Sequence, residues 1–157
     1  MHTPFQLFGS RARLAAFATA SLLVAAAACR TATSVNEGAP VHVAVDAPFQ
    51  LRVGQRAELA TDVAGRPFRV TFIEVTGDSR CPEDVRCVWE GDARVALRLE
   101  LGAEAADTAA HTSGRFTPPP ELAAHRVVVE ALDPATHSGR TIPQSDYVAT
   151  LRITESR

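Results

Sequence analysis

The 157-residue chain contains no lysine, because its 16 basic residues are all arginines. Schiff-base and lysine-base chemistry are therefore excluded. The chain also lacks a basic run, and its 18 acidic residues give a formal net charge of −2. It thus has no electrostatic footprint for nucleic acid. No segment shows a sustained 3.6-residue apolar period, which argues against a helical body.

Cysteine is scarce, and the way the three cysteines divide is informative. Cys29 closes an apolar N-terminal stretch, whereas Cys81 and Cys87 lie close together. An odd cysteine in an exported protein needs an explanation. Here the odd one lies where a bacterial lipoprotein would be acylated. That leaves Cys81 and Cys87 as a pair for a disulfide in an oxidising compartment.

The N-terminus has the pattern of a secretory signal. Residues 1–28 combine Arg11 and Arg13, no acid, and an apolar run that ends in small residues. The run is too short and alanine-rich for a membrane span. The alanines before Cys29 resemble a bacterial lipobox, with Ala26 in place of the usual leucine. Cleavage after Ala28 without acylation is the alternative.

Lipid attached to Cys29 would hold the protein at a membrane, since each buried methylene contributes roughly 0.8 kcal/mol. By analogy with Gram-negative lipoproteins, Arg30 after the cysteine implies the outer membrane, with the domain facing the periplasm. Residues 29–40 read as a flexible tether and residues 41–157 as one domain. The chain after residue 28 carries 14 arginines and 18 acids, a charge of −4. We expect a monomer without a cofactor.

Period-two alternation dominates this domain and predicts strands. The clearest examples run from Arg94 to Leu101 and from Tyr147 to Ile153, with others at residues 41–45, 49–53 and 125–132. Between Phe68 and Val75 the apolar residues switch face, which indicates a bulge or a strand buried on both sides. We expect residues 103–124 to form a long loop with one short edge strand. Overall the pattern predicts an all-β fold, an antiparallel sandwich or small barrel of about seven strands.

The segment around the paired cysteines resembles a motif of small, largely uncharacterised bacterial lipoproteins, D-S-R-C-P-x4-C-x-W-x-G. The matching residues are Asp78, Ser79, Arg80, Cys81, Pro82, Cys87, Trp89 and Gly91. The resemblance implies an extracytoplasmic, β-rich domain and no particular activity.

The residues also explain this segment physically. A disulfide closing so small a ring stabilises the fold by roughly 2–2.5 kcal/mol. Pro82 suits a turn between strands, and Gly91 suits a positive φ before the next strand. We expect Trp89 to lie over the disulfide.

Two interpretations of the loop remain open. In one, the disulfide pins a hairpin whose charges are solvated. In the other, the rigid loop is a binding surface for an envelope protein, because rigid loops lose little entropy and Trp and Arg are favoured anchors. That candidate surface comprises Asp78, Arg80, Glu83, Asp84 and Trp89. The leading function is a non-enzymatic binding or structural module of the envelope, and the alternative is a protease inhibitor-like domain presenting the Cys81–Cys87 loop.

Other chemistry has weak support. Cys-x5-Cys is not the usual zinc spacing, and EF-hand spacing is missing around Asp78, Glu83 and Asp84. The histidines, expected at the surface or at strand edges, are scattered. A hydrolase using Ser79 would need a triad that no motif here specifies. We therefore expect no metal site and no catalytic residues.

Overall fold

The structure, a computed structural model, describes residues 38–60 and 65–156. Nine strands and one 3-10 turn, Gln144–Asp146, occur in these ranges. The strands are β1 (Val41–Val43), β2 (Pro48–Arg52), β3 (Arg56–Leu59), β4 (Phe68–Asp78), β5 (Ala93–Leu101), β6 (Glu104–His111), β7 (Glu121–Leu122), β8 (His125–Asp133) and β9 (Val148–Glu155).

The strands form two sheets, which confirms the predicted β-sandwich. One sheet has the order β1-β3-β4-β5-β6 and the other the order β2-β9-β8-β7. All pairs are antiparallel except β1 and β3. These two are parallel because the chain crosses to the other sheet as β2 before it returns as β3.

The core consists of the inward residues of both sheets, as the alternating pattern predicts. Strand β5 is a clear case, since its residues 93, 95, 97, 99 and 101 are buried and alternate with more exposed ones. His125 differs from our expectation, because it is buried and stacks on the ring of Phe68 with centroids 4.6 Å apart. Its imidazole acts here as part of the apolar face.

The switch of face within β4 is a bulge, which is one of the two predicted alternatives. The register with β5 shifts between Phe72 and Glu74, and again between Val75 and Gly77. Phe72 and Val75 both face the core, whereas Ile73 is exposed. One extra residue in the ladder produces this result.

Within residues 103–124, the expected short edge strand is β7, but the expected loop is wrong for the first third of the segment. Residues Glu104–His111 form β6, paired with β5 along its whole length, so the strand number exceeds the expected seven. A two-residue turn with Gly102 at φ 62° joins the two strands. The alanine-rich sequence hides the strand, because its inward residues are small and show no strong alternation.

The proposed signal at 1–28, the acylation site Cys29 and most of the 29–40 tether lie outside the described residues. Within the described ranges, no helix is long and apolar enough to cross a bilayer.

Candidate functional site

The candidate site is the cystine loop, residues 78–92, which joins the antiparallel strands β4 and β5 at one end of the sandwich. Cys81 and Cys87 are bonded, with Cα atoms 5.9 Å apart, which confirms the predicted disulfide. We call residues 78–81 and 90–92 the base of this loop and residues 82–89 its tip. Two other segments lie beside it, the connection 133–147 and the segment 112–120 after β6.

The two arms of the base are held together by backbone hydrogen bonds. The Ser79 N–H donates to Asp92 O at 2.7 Å, and the Cys81 N–H donates to Glu90 O at 2.9 Å. Gly91 lies between the acceptors with φ 73°, and a Cβ there would come within 2.0 Å of Ser79 O. The base therefore requires glycine at this position, both for its conformation and for the close approach of the two arms.

Ser79 serves this arrangement as a hydrogen-bond donor. Its hydroxyl donates to the Asp92 carbonyl at 2.9 Å. No imidazole contacts this hydroxyl within ranges 38–60 and 65–156. The geometry thus supports the turn-residue interpretation of Ser79 and gives no support to a nucleophile.

Asp78 and Arg80 form an ion pair that points into the protein. Their side chains are only 9% and 16% exposed, and the shortest N–O distance is 2.7 Å. The guanidinium also donates to the carbonyl oxygens of Leu132 and Pro134, the latter at 2.8 Å. The interpretation in which the charges of the loop are solvated does not hold for these two residues, because Arg80 donates to the carbonyls where β8 ends. They are anchors of the loop and contribute little accessible surface.

Tyr147, which directly precedes β9 of the other sheet, completes this cluster. Its hydroxyl donates to Asp78 Oδ2 at 3.1 Å. Burial and the Asp78 carboxylate raise the pKa of Tyr147 to about 12. Burial tends to raise the pKa of Asp78, but its hydrogen bonds with Arg80 outweigh that effect and hold the pKa below its usual value. The base is therefore tied electrostatically to both sheets.

A second buried carboxylate, Asp92, holds the segment after β6. Its Oδ2 lies 2.5 Å from His111 Nδ1, and its Oδ1 accepts from the Ser113 N–H at 2.9 Å. Burial opposes ionisation here too, but the bond with His111 keeps the pKa of Asp92 lowered. Sequence reasoning missed this pair, since the two residues are 19 apart and only the β5–β6 register, hidden by alanines, brings them together.

Hydrogen bonds of the acidic residues at the start of the tip, Glu83 and Asp84, join it to the connection 133–147. The Glu83 N–H donates to Thr136 O at 3.0 Å, and the Ser138 N–H donates to Asp84 Oδ1 at 2.9 Å. The hydrogen bond from Ser138 lowers the pKa of Asp84. These contacts fix the position of the tip without covering it.

The rest of the tip exposes apolar side chains. Val88 is 88% exposed and Trp89 is 71% exposed, and Val85 is also exposed. None of the contacts given for the described residues joins Trp89 to the disulfide, so its expected position there stays a prediction. Trp89 lines a shallow pocket of about 130 Å³ with Phe116, which is itself 61% exposed. Sequence reasoning missed Phe116, which lies in the segment expected to be loop.

A larger open cleft lies on the other flank of the tip. It has a volume of about 660 Å³ and is lined by residues of the tip and the connection, among them Glu83, Asp133, His137 and Arg140. In the described part of the chain, no cluster of three His, Cys, Asp or Glu side chains could hold a metal ion.

Comparison of the chain with protein-family models, curated proteins and solved structures finds no match. The fold and the loop define a two-layer β-sandwich with a cystine loop at one end.

Proposed function

We propose that this protein is a non-enzymatic, lipid-anchored binding module of the bacterial cell envelope that presents the tip of its cystine loop to another envelope protein. The observation that carries the proposal is the exposure of Val88 and Trp89 on a loop held by a disulfide and a buried ion pair. Large apolar side chains exposed together are typical of interaction sites. Trp is a favoured anchor, and a rigid loop loses little conformational entropy on binding.

The proposed surface differs from the sequence-based one. Asp78 and Arg80 act as anchors behind it, while Glu83, Asp84 and Trp89 stay at the tip with Val85 and Val88. Acylation of Cys29 would place the domain at the outer membrane, facing the periplasm. A single copy of the chain suffices for this function, which involves no nucleic acid and no cofactor.

A photo-crosslinking residue at Val88, introduced into the full chain in its native envelope, tests the binding function. We expect a discrete adduct with one envelope protein, and its loss when Trp89→Ala is added. The same crosslinker at Gln50, exposed on the opposite sheet, is the matched control and should give no such adduct. Equal adducts at both positions, or none at Val88, would contradict the proposal.

Growth with a radiolabelled fatty acid tests the anchor separately. The wild-type chain should incorporate label, and Cys29→Ser should abolish it. An unlabelled wild-type chain would exclude lipid attachment and favour the soluble periplasmic alternative.

A protease inhibitor-like role is the second candidate. It is favoured by the tip itself, whose residues 83–89 are all exposed between fixed ends, as a substrate-like loop must be. Inhibition of an envelope protease by the wild-type domain, with loss on cleavage within residues 83–86, would support it. Absence of inhibition across such proteases would exclude it.

A further inference from the structure

The edges of the two sheets differ in their capacity to accept another strand. Four described strands lie at edges, and three are poor templates: β1 has three residues, β7 has two, and β2 begins with Pro48. Strand β6 has eight residues, mostly with small side chains. An edge of this length presents a row of unpaired backbone groups. Short length, proline and charge protect such edges in other proteins, and β6 has only charge among these devices, at Glu104 and Asp107.

The register shows which groups of β6 face outward. Leu101 and Glu104 flank the two-residue turn and therefore exchange both backbone hydrogen bonds with each other. Every second residue of β6 is hydrogen-bonded to β5 in this register, and the alternation continues to Thr112, whose N–H donates to Ala93 O at 3.1 Å. The alternate residues between them point their N–H and C=O groups away from β5. These residues are Ala105, Asp107, Ala109 and His111.

This edge ends at the aromatic pocket beside the tip. The ring of His111, the last residue of β6, stacks on Phe116 with centroids 5.7 Å apart. Phe116 lines the pocket with Trp89, so the free edge is continuous with the proposed binding tip. Asp107 and His111 lie on the same face, four residues or about 13 Å apart along the strand.

The charge on β6 favours certain residues in an added strand. Asp107 is the acidic residue among the outward positions, and its side chain is 65% exposed although it pairs with Arg98 at 3.0 Å. An opposite charge directly across a strand pair is favourable, and a like charge is unfavourable. A strand added beside β6 is therefore favoured when it carries a basic residue opposite Asp107.

We propose that the edge of β6 and the Trp89–Phe116 pocket together bind an extended segment of a partner protein, in which a large apolar residue and a basic residue lie four positions apart. This inference rests on the proposed function, since it identifies the segment that the partner of the tip would present. Added strands gain affinity from main-chain hydrogen bonds and specificity from alternate side-chain pockets.

A second copy of the chain fits the site less well. Strand β6 carries no large apolar side chain, so pairing of two β6 strands would leave the aromatic pocket empty.

The proposed complex has a small interface. A single added strand of eight residues buries less than the roughly 1,200 Å² of a standard interface. The complex is therefore transient, as suits a recognition module.

The probe is an acetylated soluble peptide containing Phe-Thr-Ser-Thr-Lys, compared with the same peptide carrying Ala for Phe. Titration into the folded chain, followed by NMR, should slow amide exchange at Ala105, Asp107 and Ala109 and shift the Trp89 indole signal. The Ala peptide should bind at least fivefold more weakly. Unchanged edge amides would overturn the inference, and so would protection of these amides without peptide, which would indicate a second copy.

Two variants test the edge and the charge separately. Ala109→Pro removes an outward N–H without touching the β5–β6 hydrogen bonds, and should abolish peptide binding. Asp107→Lys should weaken the Lys peptide about two- to fivefold and strengthen a Glu analogue by a similar factor. Because the charge variant predicts opposite changes for two peptides, a folding defect cannot imitate it. Equal changes for both peptides would contradict the charge preference.

Crosslinking at Val88 keeps this inference distinct from the proposed function. If the adduct seen with the wild-type chain persists in Ala109→Pro, the proposed binding function is supported, but the inference that the edge of β6 binds the partner is contradicted. Failure of any wild-type adduct at Val88 would overturn the function itself.

Discussion

The base and the tip of the cystine loop are built in opposite ways. The base withdraws charge from solvent, since the paired side chains of Asp78 and Arg80 are only 9% and 16% exposed, whereas the tip exposes Val88 and Trp89. A protein selected only for stability would favour the reverse arrangement, since burial of apolar surface stabilises and burial of ions is costly. The base holds the loop, and the exposure of the tip supports the proposal that it contacts a partner.

Arg80→Ala should produce the largest effect on the base. It leaves Asp78 buried without its cation and two carbonyl oxygens without a donor, so we expect a loss of about 4 kcal/mol in the free energy of unfolding. Urea unfolding measures it, with Arg94→Ala on the exposed face of β5 as control. A loss below about 1 kcal/mol would show that the pair is effectively solvated.

Gly91→Ala tests the close approach of the two arms of the base. We expect a loss of about 3 kcal/mol, because the new Cβ would collide with Ser79 O. Gly139→Ala is the matched control, with a similar φ of 71° but open space around it, and should cost about 1 kcal/mol. Similar losses in thermal unfolding of the two variants would mean that the arms are not in close contact.

Replacing both cysteines with serine should cost less than removing the ion pair. The ring is small, so the chain-entropy contribution is about 2–2.5 kcal/mol. The folded base should survive, and crosslinking at Val88 should weaken as the tip loses its constraint. Full retention of crosslinking would show that the disulfide contributes stability alone.

Tyr147 should make the stability of the fold decrease at alkaline pH. Its pKa is raised to about 12 when folded, so its contribution is complete below pH 10 and is lost as the pH rises from 10 to 12. The chain has one tyrosine and no lysine, which leaves this range almost free of other titrating side chains. Tyr147→Phe should cost about 1.5 kcal/mol at neutral pH and flatten the thermal midpoint above pH 10. A wild-type midpoint without alkaline decline would contradict this role.

Trp89→Ala should have the smallest effect on stability. An exposed side chain contributes little to folding, so the change should stay within about 0.5 kcal/mol. Partner crosslinking should nevertheless fall sharply. A substantial loss in urea unfolding would instead place Trp89 among the structural residues.

The sequence predicts the sandwich well because alternation reports directly on one buried face. Strands β5, β8 and β9 follow from their large inward residues, and the disulfide follows from the cysteine count. Strand β6 could not be predicted from the sequence, because its alanines give no contrast in hydrophobicity between its two faces. The orientation of the Arg80 side chain could not be predicted either, since its acceptors are backbone carbonyls whose position the sequence does not reveal.

Amide hydrogen exchange along residues 78–92 tests the contrast between base and tip most directly. The amides of Ser79 and Cys81, which donate to Asp92 O and Glu90 O, should exchange slowly. The amides of Val88 and Trp89, for which the described structure gives no backbone acceptor, should exchange at close to the rate of an unfolded chain. Uniformly slow or uniformly fast exchange across the loop would contradict the account.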